Sequence, residues 1–154
     1  MTISKATFLP DIWEAFYDRM SSVTTVTLDD TTTPTIQTRT SSFPDREQDS
    51  KSDYPLIVVN SPSCPTAPFT FGKTEVDGTI RIEVFATKKE TSDMFLAEIM
   101  DKIETYKDDF ATLGLKRIEI DSTDSDMFMR GDIKLHVGAV VFGFKYKYSK
   151  TRAW

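Results

Sequence analysis

The residues able to do chemistry in this chain are few. It has one His and one Cys, His136 and Cys64. That excludes a disulfide framework, a Cys/His zinc site and a haem-attachment motif, which all need several such residues at set spacings. His136 lies between Leu135 and Val137, on the face opposite the apolar one of an extended run. No G-x-S-x-G turn accompanies it, so a hydrolase built on His136 is kept only as an alternative. Cys64, in Ser63-Cys64-Pro65, reads as a loop or packing thiol. Gly138 to Lys145 echoes a phosphate-binding loop. Phe144 holds the lysine position, however, and the run is a strand rather than a turn into a helix. Asp121, Asp124 and Asp126, with Asp132 beyond, are spaced like calcium ligands. Counted from Asp121, the place where a calcium loop needs glycine is Asp126. These acids read as a solvated loop. So do Asp45, Glu47, Asp49 and Asp53, which are interleaved with Arg46 and Lys51. Arg130-Gly131-Asp132 spells an adhesion tripeptide and reads as a turn before a strand. The expectation is no enzyme, no metal and no cofactor.

The aromatic residues near the end weigh more. Phe142, Phe144, Tyr146, Tyr148 and Trp154 stand beside Lys145, Lys147 and Lys150. Such a stripe could stack single-stranded nucleic acid, which makes a small nucleic-acid-binding module a second alternative. Against it, 24 Asp and Glu outweigh 19 Lys and Arg, for a net charge of -5. The simpler account is a sheet face, part core and part subunit contact, with lysines protecting an exposed edge.

The elements that must position these residues follow from pattern. A chain of 154 residues is the length of one domain. Leu9, Ile12, Trp13, Phe16 and Met20 predict an amphipathic helix over about Pro10 to Ser21, with Thr7 as its cap. Asp11, Glu14 and Asp18 interrupt any signal-peptide core. The longest nearly apolar run, Val137 to Phe144, is too short to span a bilayer. Residues 22–53 read as a β-ribbon and a loop excursion. Val23 to Leu28 is β-prone, Asp29 to Pro34 turns, Ile36 to Thr40 returns, and Ser41 to Asp53 is a mobile loop. Tyr54 to Asn60 is a buried strand. Phe69 to Val76 and Thr79 to Lys88 pair as a hairpin around Asp77-Gly78. Ser92 to Thr112 is a long helix with Thr91 or Ser92 as cap, closed by Gly114. Leu115 to Asp121 is a strand, Ser122 to Gly131 a loop, and Asp132 to Tyr148 a long strand. That last strand moves its apolar residues from odd to even positions. The change implies a bulge near Gly138 to Val141, or else cover on both faces. The fold class is α+β: a mostly antiparallel or mixed sheet with two main helices packed on it.

In this order the chain resembles a tail terminator protein of long-tailed bacteriophages, of the lambda-like tail terminator and neck protein family. The carriers are the N-terminal helix (Ile12, Trp13, Phe16, Met20), a variable polar stretch after it, Tyr54-Pro55-Leu56-Ile57-Val58-Val59, and a hairpin whose second strand is Gly78 to Ala86. The helix Ser92 to Thr112 with Gly114-Leu115 and the aromatic final strand complete the pattern. The resemblance implies a virion protein of the tail-neck junction, made in the host cytoplasm. It implies a hexameric ring that caps the major tail tube protein, ends tail polymerisation and meets a head-side connector, with DNA passing through unbound. A head-closure or head-completion neck protein is the nearest alternative. Rings need head-to-tail contacts between copies. The candidate contact residues are Phe43, Asp45, Arg46 and Glu47 on the Ser41 to Asp53 loop, Phe128 and Arg130 on the Ser122 to Gly131 loop, and Phe144, Tyr146 and Tyr148 on the final strand as an edge.

Overall fold

A computed structural model describes residues 8–41, 51–64 and 75–147. Helix α1, Phe8–Arg19, runs into a 3-10 turn at Met20–Ser22. It starts two residues before the expected boundary. Ile12, Ala15, Phe16 and Met20 are buried on the face that the three- and four-residue spacing predicts, while Leu9, expected on the same face, is 40% exposed in the first turn. Trp13 donates its indole N–H to the Val59 carbonyl at 2.7 Å, tying the helix to the sheet. The ribbon that follows is narrow. Thr25 and Thr35 form one antiparallel bridge, and the Leu28 carbonyl accepts from the Thr31 N–H. Strand β1 is Thr38–Thr40 and strand β2 is Leu56–Val59. Every residue of β2 is buried, as its unbroken β-branched run requires.

Strand β3, Glu75–Ala86, overturns the expected hairpin. Asp77 and Gly78 sit inside the strand and pair with Lys145 and Phe144. Their turn propensity loses to a ladder of twelve pairs with the final strand. The glycine serves packing instead. A Cβ there would lie 2.7 Å from Cys64 Sγ and 2.7 Å from Phe144 Cζ. Helices α2, Lys89–Thr105, and α3, Lys107–Thr112, replace the single long helix. The step at Tyr106 leaves Phe110 stacked on Phe16, ring centres 4.7 Å apart. The expected caps also fail: Thr91 and Ser92 are buried within α2, and the Ser92 hydroxyl donates to the Val84 carbonyl. Gly114 does take the left-handed conformation of a helix end, φ 93°.

Strand β4, Leu115–Arg130, is the largest correction. The expected loop from Ser122 onward is extended and hydrogen-bonded, and a two-residue turn at Gly131-Asp132 leads into β5, Ile133–Lys147. The sheet order is β1-β2-β3-β5-β4, with β1 parallel to β2 and the other pairs antiparallel. Helices pack on this mixed sheet, so the fold is α+β.

The face change in β5 has the second of the two expected causes. No shift interrupts its register with β3; the shifts lie on β4, at Lys116/Glu119 and Ile120/Ser122. Instead both faces of β5 are covered. Val140, Phe142, Phe144 and Tyr146 join the main core beneath the helices. Ile133, Leu135 and Val137 join Tyr54, Leu56, Val58 and Phe85 in a smaller cluster on the other face. Gly138 marks a close approach rather than a bulge. A Cβ there would lie 2.8 Å from Ser92 Oγ, where α2 crosses the sheet.

Candidate functional site

The strand β4 stands out because its residues contradict their own conformation. Asp is depleted in strands and Ser favours turns, yet Asp121, Ser122, Asp124, Ser125 and Asp126 all lie in a strand. Residues 119–129 are exposed throughout, so no apolar burial on either face explains the extension. What holds them is the ladder to β5. At the far end stand Met127 (54% exposed), Phe128 (37%) and Met129 (58%), three large apolar side chains in sequence. Alternation puts Phe128 on one face and the methionines on the other. The Phe128 ring meets Phe85 edge-on at 6.4 Å, which joins the hairpin tip to the smaller cluster.

Two bulges shape the first half of the strand. Arg117 sits between the shifted pairs with φ 52°, a left-handed conformation that a side chain disfavours. The Asp121 carboxylate lies over Gly143, where a Cβ would be 2.8 Å away. Beside it a shallow hollow of about 390 Å³ is lined by Asp77, Arg117, Glu119, Asp121 and Lys145 among others. Lys145 pairs with Asp77 at 3.3 Å. Further along, Arg81 reaches Glu83 (3.6 Å) and Asp124 (3.8 Å). The hollow near His136, about 230 Å³, also takes in Lys89, Ser92, Asp93 and Asp126. Among the described residues no group of three or more His, Cys, Asp or Glu could hold a metal ion. No helix among them is long and apolar enough to cross a membrane. Burial, and then the charge of Asp77, push the Cys64 thiol above its ordinary 9.0.

The candidate contact residues fall in three places. Phe128 and Arg130 lie on β4, at the exposed tip of the hairpin. Phe144 and Tyr146 are core residues, 3% and 2% exposed, because β5 turns its even positions under the helices. They offer a partner nothing. Phe43, Asp45, Arg46, Glu47 and Tyr148 lie outside the described residues, as does most of the Ser41 to Asp53 loop. The edge assignment also changes. β5 lies between β3 and β4, so its lysines guard no edge, and the outer strand is β4. Sequence reasoning missed Met127 and Met129. The available signal was three consecutive large apolar residues inside an otherwise polar stretch. No family model matches the chain, and no match is found among curated proteins.

Proposed function

We propose that the chain is a structural virion subunit. It closes into a ring that caps the tail tube of a long-tailed phage, ends tube growth and forms the head-joining surface. Its partners on this reading are copies of itself, the major tail tube protein and a head-side connector. It works by binding and geometry, with no catalytic step and no cofactor.

One observation carries the reading: a sixteen-residue outer strand whose residues 119–129 are exposed on both faces and end in apolar side chains. Monomeric proteins blunt or cover such edges, because an unpaired strand recruits other chains. An assembling subunit keeps one. The two edges of the sheet also differ, since β1 has three residues and β4 sixteen. A contact between unlike edges is head-to-tail, the class that closes into rings. Of the elements that carry the resemblance to the tail terminator family, the N-terminal helix, the buried strand β2 and the long final strand stand in the structure, while the hairpin before Gly78 and the single long helix do not.

Native mass across a concentration series, with and without tail tubes, tests it. Six copies of 17.5 kDa give a species of about 105 kDa, and tubes should stop lengthening once it is added. A monomer at every concentration that leaves tube growth unchanged refutes the proposal. A closed ring that binds the connector but ignores tubes would reassign the chain to head closure.

A further inference from the structure

The outer edge of β4 divides into two parts. The first carries both bulges, which interrupt the ladder. The second, residues 122–130, pairs with β5 at every residue without a shift. Nine residues make about 30 Å of regular strand. Among the described residues its far side has no strand neighbour. Edges of this kind are ordinarily protected by charged side chains, lysine above all, by proline or by a bulge. Residues 122–130 contain no lysine, no proline and no register shift.

They carry two aspartates, then the apolar tip, and end on Arg130, which shares the face of the aspartates. Asp124, Asp126 and Phe128 share one face by alternation, and Ser125, Met127 and Met129 share the other. A strand laid alongside would meet two carboxylates and an aromatic ring on one face. On the other it would meet a hydroxyl and two thioethers. The Asp124 side chain is 66% exposed, with Arg81 reaching it only at 3.8 Å. β4 itself is a poor occupant. Pairing all nine residues antiparallel with the same strand of a second copy sets Asp126 opposite Asp126 and diagonal to Asp124. The complement is an extended segment with Lys or Arg at alternate positions, followed by an apolar side chain.

The backbone agrees. In an antiparallel pair, alternate residues turn both N–H and C=O away from their neighbour. The Met127 N–H donates to Asp126 Oδ1 at 2.7 Å. That places Thr123, Ser125, Met127 and Met129 in the outward set. Asp126 therefore satisfies an edge N–H locally. A lysine that draws the Asp126 carboxylate away would release that N–H to the carbonyl of an added strand.

We infer that residues 122–130 take up a basic, extended peptide segment by strand addition. The inference rests on the hairpin being a contact surface, and not on any viral role. The probe is a labelled ten-residue peptide of alternating Lys and Val, titrated against the full chain by fluorescence anisotropy, with a Glu-Val peptide as control. The Lys-Val peptide should bind at least tenfold tighter than the control and weaken as salt rises. Ser125→Pro removes one outward N–H and should weaken binding tenfold or more. The double variant Asp124→Lys with Asp126→Lys should reverse the preference, which keeps the test informative if the proline variant does not fold. Equal binding of both peptides, or unchanged preference in the charge-reversed chain, overturns the inference. Because the peptide is read on the isolated chain, its result stands apart from ring formation. A ring that forms while the peptide fails to bind leaves the ring reading intact and ends this one.

Discussion

Replacing Gly78 by alanine tests whether β3 runs straight through Asp77-Gly78. In the extended strand the new methyl would enter a filled space. Its carbon would lie 2.7 Å from Cys64 Sγ, 2.7 Å from Phe144 Cζ and 3.0 Å from Phe144 Cε2. The Phe144 ring is 3% exposed and has Phe16 6.1 Å away, so it has little room to yield. Overpacking of this kind costs about 1–3 kcal/mol. Alanine recovers roughly 0.5–1 kcal/mol relative to glycine in a strand. The expected net loss is about 1–2 kcal/mol, read as a lower urea midpoint at unchanged slope. A double-mutant cycle with Phe144→Leu then identifies the cause. Leucine removes the ring edge that the methyl strikes, so the two changes should couple by at least about 0.5 kcal/mol, the combined loss being smaller than the sum. If Gly78 were the second residue of a tight turn, alanine would still destabilise, through positive φ, but would not couple to Phe144. Additive losses, or an alanine variant as stable as the parent, refute the packing argument.

Two other outcomes follow from particular groups. Arg117 holds φ 52° at a bulge, a conformation costing a side chain about 1–2 kcal/mol. Arg117→Gly should therefore raise stability by about 0.5–1 kcal/mol after the entropy of glycine is charged against it, and a lower denaturant midpoint would contradict this. Cys64 has its thiol pKa raised above 9.0, first by burial and then by Asp77. The folded state thus favours the neutral thiol. Its contribution to stability is full below 9.0 and is lost as pH rises through the raised value. Alkylation by iodoacetamide at pH 8 should be slower in the native chain than in urea, and Asp77→Asn should speed it; equal native and unfolded rates would dismiss the shift.

Much of the core could be read directly from spacing. Ile12, Phe16 and Met20 on α1, the run Leu56 to Val59, and the even positions of β3 are buried where their periodicity places them. These are local statements, since a helix face or a fully covered strand writes its burial into consecutive residues. Where local preference and long-range pairing disagree, pairing decides. Asp77-Gly78 has the composition of a turn and lies in a strand, because twelve pairs with β5 outweigh the preference of two residues. Ser122 to Arg130 has the composition of a loop and lies in a strand for the same reason. The lysines of β5 looked like edge protection, and only the strand order shows them inside the sheet.

The sequence by itself determined the class of the fold, the buried face of α1, the buried strand β2 and the scarcity of chemistry around one His and one Cys. The tertiary structure alone decided that β5 is covered on both faces, that β4 is the outer strand, and that Phe144 and Tyr146 are core while Met127 and Met129 are surface. The physical reason is one of range. Side-chain periodicity is set by neighbours three or four residues away, whereas a strand's place in the sheet is set by hydrogen bonds to partners far along the chain.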